Sequence, residues 1–192
     1  MCVFPIISPF LFYIVVKYLI YLLSIIFLCG LNVGLAPYLR IYGQVPNFLF
    51  LIAVIWSVDK TDDDFWFFAL FAGLFMDFSA GAWVGTFAIP LLLVCLAIRL
   101  LVQNYLVLEL SLKYLAIVLF PAQLLFYFGS VGYAFVFYKL GLAAYPPSAS
   151  GWLGSWVAGF LYNAALLYPM YIAAGYLKTF LGKYVVREYK VR

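Results

Sequence analysis

The chain has 192 residues, 69% hydrophobic and 9% charged, with a mean hydropathy of +1.13; soluble domains carry roughly 45 to 50% apolar and about 25% charged residues, so a water-soluble fold is excluded and an integral membrane protein predicted. The net charge of +4 does not point to nucleic acid, because Lys178, Lys183, Arg187, Lys190 and Arg192 gather at the C-terminal end and read first as a topology signal. Histidine is absent and Cys2, Cys29 and Cys95 lie far apart, which removes the commonest general base, His-ligated metals and a disulfide framework; neither an enzyme nor a cofactor is expected.

The first apolar segment, about 10–31, is interrupted only by Lys17 and stops at Gly30-Leu-Asn-Val-Gly34 before Pro37. No basic residue precedes it and no small-x-small site follows, so it is expected to stay as an anchor. A second segment, about 46–58, opens on Pro46 at a first-turn position, where the missing N–H costs nothing. The charged turn Asp59 to Asp64 follows. From Phe65 to Ile98 the chain is apolar but for one charge, which as a single helix would be about 51 Å long against a bilayer core of roughly 30 Å. It must break, and Ser79-Ala-Gly-Ala-Trp83 is the predicted break, giving segments at about 65–78 and 83–102. A fifth segment, about 112–137, should kink at Pro121. The sixth, about 152–181, follows a Tyr145 to Gly151 loop and contains Pro169.

The expected fold class is therefore all-α: six transmembrane helices in a single polytopic membrane domain over residues 1–192, without internal repeats. Six spans put both termini on one side. Lys60, Arg99, Lys113 and the basic tail then oppose Arg40 and Lys139, and the positive-inside rule makes both termini cytoplasmic. Segments two and three would be only about 20 Å long, so the bilayer thins beside them, flanking residues extend them, or their ends sit in a cavity between longer helices. Lys183, Arg187 and Lys190 recur every three or four residues and are candidate contacts to anionic membrane lipids.

Ala69, Gly73, Asp77, Gly81 and Gly85 are spaced by four, so the first three share a helix face that admits another backbone closely. An ionised aspartate near a helix centre costs about 2.5 to 3.5 kcal/mol on insertion scales and needs a partner. Two readings follow. Asp77 bonds the Ser79 to Gly81 turn as a helix-end residue, or it pairs across to a basic residue, Arg40 first and Lys139 second, and shapes a recognition surface. A proton relay is the weakest reading, because no second titratable group stands nearby in sequence.

The stretch Val45-Pro46-Asn47-Phe-Leu-Phe-Leu-Ile, the charged turn, and Gly73-Leu-Phe-Met-Asp77-Phe-Ser-Ala-Gly81-Ala-Trp-Val-Gly85 resemble, in order and spacing, the MreD family of rod-shape-determining bacterial membrane proteins. Asn163-Ala-Ala-Leu-Leu-Tyr-Pro169 is a weaker likeness to the same family, and Val45 stands where the family often has a basic residue. The resemblance implies a non-enzymatic scaffold of the cell-elongation complex in the bacterial cytoplasmic membrane, controlling cell shape with MreC, MreB and peptidoglycan synthases. It also implies a bundle similar to the S-components of energy-coupling-factor vitamin transporters, which makes a substrate-binding S-component the alternative function. A binding component needs a pocket with convergent polar groups. The sequence offers few, chiefly Asp77, Gln123 and Asn163, so the scaffold is the preferred expectation.

Overall fold

In a computed structural model, which describes residues 9–40, 44–59, 64–104, 112–142 and 152–185, the elements are helical: α1 Pro9–Gly34, α2 Phe48–Val58, α3 Phe65–Ala80, α4 Ala88–Asn104, α5 Leu112–Lys139 and α6 Trp152–Val185, with a 3-10 turn at Ala36–Leu39. Three stretches are long and apolar enough to cross a membrane: Ile14–Gly34, Leu112–Lys139 and Trp156–Phe180. Helices α2, α3 and α4 have 11, 16 and 17 residues, so they reach only about 17 to 26 Å, short of a bilayer core.

The shortest helix lies at the centre. Every residue of α2 is buried, and α2 packs against each of the other five helices. A helix that is apolar all round belongs inside protein. Its sequence Phe-Leu-Phe-Leu-Ile-Ala-Val-Ile-Trp-Ser-Val has no polar face to turn outward. Where lipid is the solvent, helices gain little from leaving it, and close packing carries the association. Trp56 of α2 accordingly stacks on Phe68 of α3 with ring centroids 4.1 Å apart, and Tyr21 of α1 meets Trp56 edge-on at 5.8 Å.

Small residues set the closest crossings. A β-carbon built on Gly73 of α3 would overlap the backbone of Ala88 at the start of α4, and one on Gly129 of α5 would come within 2.9 Å of Pro90. These contacts bring α3, α4 and α5 together around α2.

The predicted boundaries need two corrections. Helix α2 begins at Phe48, with Asn47 as its capping residue; Pro46 lies before the cap, because the Asn47 side chain accepts the Phe50 N–H at 3.0 Å with Asn47 itself outside helical geometry. Helix α4 begins at Ala88 instead of Trp83, because the backbone over Gly81 to Phe87 is bent around the carboxylate of Asp77. Helices α5 and α6 each continue through their internal prolines, Pro121 and Pro169. Lys60, the Tyr145 to Gly151 loop, Arg187 and Lys190 lie outside the described residues.

Candidate functional site

Asp77 sits in the last turn of α3 and is fully buried. One carboxylate oxygen accepts the Gly85 N–H and the other the Phe87 N–H, each at 2.7 Å. Hydrogen bonds to a charged group contribute about 1.5 to 3 kcal/mol each, against the cost of enclosing the charge. Phe87 immediately precedes α4, so the carboxylate also lies at that helix's positive end. Two glycines make the bend: Gly81, at φ 61°, closes α3, and Gly85, at φ 101°, faces the Tyr133 hydroxyl, which would be 2.6 Å from an added β-carbon. The expected pairing with Arg40 is not formed. Arg40 is exposed after the 3-10 turn, and each carboxylate oxygen of Asp77 instead accepts a backbone N–H ahead of it, beyond the Ser79 to Gly81 turn that was expected to supply the donors.

At the start of α2, four amide side chains from four places in the chain form a connected network. The backbone N–H groups of Asn47, Phe48 and Phe50 donate to the side-chain oxygens of Asn163 at 3.1 Å, Asn32 at 3.0 Å and Asn47 at 3.0 Å. Asn163 in turn donates to the Gln123 side-chain oxygen at 2.6 Å. A helix end enclosed by protein cannot turn to water, so its orphan N–H groups need partners of this kind. The network ties α1, α5 and α6 to the beginning of α2.

Beside this network lies a cavity of about 490 Å³. Its wall includes Asn32, Gln44, Asn47, Gln123 and Asn163, with Phe87, Phe126 and Tyr127 supplying aromatic surface. Ser79, Ala80 and Thr86 also line it, which places the Asp77 bend on its rim. The expectation that intramembrane polar groups are too few to build a pocket is thereby revised: amides distant in sequence converge here.

The other end of α2 is held by charge. Asp59 caps it and pairs with Lys178 of α6, while the Asp59 carbonyl accepts from the Arg99 guanidinium of α4. Asp64, just before α3, pairs with Lys17 of α1 and accepts the Tyr18 hydroxyl at 2.9 Å. The Lys178 ammonium also stands 4.9 Å from the centre of the Trp56 ring, an attractive placement for a cation. Cations near the α2 C-terminus offset the unfavourable position of Asp59 at the negative end of the helix.

The predicted site residues thus divide. Pro46, Asn47 and Asn163 meet at the cavity, whereas Gly73, Asp77, Gly81 and Gly85 build the α3–α4 bend beside it. Pro169 is exposed on α6, and of the basic residues proposed for lipid contact only Lys183 falls within the described helix. Asn32 and Gln44 were missed as site residues, and Lys17, Arg99 and Lys178 were read only as an interruption or as topology signals. The available hint was a lone basic residue within an otherwise apolar segment, at Lys17, Arg99 and Lys178.

Comparison with protein-family models, with curated proteins and with solved structures finds no match.

Proposed function

We propose that the chain is a non-enzymatic multi-pass component of the bacterial cytoplasmic membrane that organises side-wall peptidoglycan synthesis, together with a membrane-anchored partner of the MreC type, the MreB filament and peptidoglycan synthases. In this reading all six helices lie within the bilayer with both termini cytoplasmic, and α2 is insulated from lipid by the helices around it. The supporting observation is the use made of the MreD-like residues. Asn47 caps α2, Gly73 admits Ala88, Asp77 holds Gly85 and Phe87, and Gly81 takes the left-handed turn. Asn47 fixes the start of α2 and the other three fix α3 against α4, so the likeness falls on residues that hold helices in place, as a scaffold requires.

Capture of the chain in mild detergent, with identification of the proteins that accompany it, tests this reading. A bitopic cell-shape protein supports it. Recovery of an ATPase-linked membrane subunit instead overturns it in favour of the second reading, a solute-binding S-component, which the 490 Å³ cavity favours.

A further inference from the structure

We propose that the cavity at the start of α2 binds a neutral hydroxylated molecule of the sugar or polyol class, either as a free solute or as the headgroup of an uncharged lipid. The proposal rests on the cavity alone and holds under either reading of the complex the chain joins.

Its volume, about 490 Å³, falls within the usual range of roughly 300 to 1,000 Å³ for small-molecule sites. Charge is the first constraint. Among the described residues no charged side chain lines the wall, and the nearby carboxylate of Asp77 is already taken by two backbone N–H groups. A charged occupant would give up hydration without gaining a counter-charge, which is strongly unfavourable away from water. An uncharged occupant therefore fits this wall best.

Hydrogen bonding is the second constraint. The Gln123 side-chain oxygen is bound to Asn163, which leaves the Gln123 amide nitrogen with donor capacity to spend. That nitrogen and the Gln44 side-chain oxygen both face Gly159 on α6, at 3.6 Å and 3.8 Å from where a β-carbon would stand. An unspent donor and an unspent acceptor thus converge over a residue with no side chain. Hydroxyl groups both donate and accept, so an array of them matches such a wall better than a ligand with acceptors only.

The third constraint is shape. Phe87 and Phe126 both line the cavity, with ring centroids 6.1 Å apart and planes inclined by 32°. The electron-rich faces of these rings suit the C–H face of a saturated ring. Amide groups and aromatic carbon share the wall, a mixture that suits the hydroxyls and the C–H groups of a hydroxylated ring.

The test uses the full chain in phosphatidylcholine nanodiscs, with bound molecules counted by mass spectrometry of the intact complex. Three probes are titrated: methyl glucoside, monoglucosyl diacylglycerol and phosphatidylglycerol. One saturable equivalent of either glucosyl probe is expected. Retention of methyl glucoside identifies a free-solute site, and retention of the glucolipid alone identifies a headgroup site. Phosphatidylglycerol at equal concentration should not displace the neutral probe. Gly159→Leu, whose β-carbon would stand at ordinary contact distance from the Gln123 nitrogen and the Gln44 oxygen, should lower retention at least about tenfold by filling the space between them. Gly175→Leu, in open space on the same helix, should leave it unchanged. The proposal is overturned if neither neutral probe saturates, if phosphatidylglycerol displaces the neutral probe, or if Gly159→Leu retains it like the unaltered protein.

Discussion

Asp77 and Gly85 are eight residues apart, and the carboxylate of the first accepts the backbone N–H of the second at 2.7 Å inside the protein. This bond, with its neighbour to Phe87, satisfies two backbone N–H groups of the irregular stretch between α3 and α4. Without it the same N–H groups would be enclosed and unpaired, a state that protein interiors and bilayers both disfavour.

The first prediction concerns Asp77 itself. Asp77→Asn keeps one acceptor oxygen and strands one N–H, so it should lower stability by about 1 to 3 kcal/mol; Asp77→Leu strands both and should cost roughly twice that. Thermal unfolding in detergent measures the difference. Because Asp77 is not paired with Arg40, Arg40→Gln combined with Asp77→Asn should give the sum of the two single effects within about 0.5 kcal/mol. A larger departure would show that the two side chains are coupled.

Gly73 should not tolerate even alanine. Its added β-carbon meets the backbone of Ala88, which cannot rotate away as a side chain can. Gly73→Ala is expected to destabilise by about 1 to 3 kcal/mol through overpacking. Gly132→Ala, in open space on α5, serves as the comparison and should change stability by less than about 0.5 kcal/mol. Equal melting temperatures for the two variants would refute the close crossing.

Asn163 and Gln123 should be energetically coupled. Asn163→Leu removes the acceptor for the Asn47 N–H and the donor to Gln123 together, and should cost about 1 to 3 kcal/mol. A cycle of Asn163→Leu and Gln123→Leu should reveal a coupling of at least about 0.5 kcal/mol. Strict additivity would mean that the amide network is not formed in the membrane.

The charged end of α2 yields a sign prediction. Lys178→Met removes the ammonium that pairs with the Asp59 carboxylate, which is 9% exposed. The loss should reach up to about 3 kcal/mol, the low end for breaking a buried pair, since Lys178 keeps 23% of its side chain exposed. Lys178→Met with Asp59→Leu should be more stable than Lys178→Met alone. Chemical unfolding of the three chains ranks them, and a double variant weaker than the single one would show that Asp59 is satisfied without Lys178.

By itself the sequence determined the strongly apolar, all-helical character, the number of helical segments and the need of Asp77 for partners, because apolar run length, turn chemistry and the cost of a lone charge are local properties. It also marked the four-residue spacing of glycines that the α3–α4 crossing uses. Only the tertiary structure decided which partners Asp77 takes, for backbone N–H groups belong to every residue and leave no trace in side-chain identity. The start of α4 was hard to read for the same reason: the stretch before it is largely apolar, and the left-handed Gly85 and the carboxylate that holds the Gly85 and Phe87 N–H groups together set it apart from the helix. Neither polar end of α2 could be read along the chain. Lys178 finds Asp59 across 119 positions, and Asn163 finds the Asn47 N–H across 116. Such separations are closed by packing around one buried helix, and no local pattern records them.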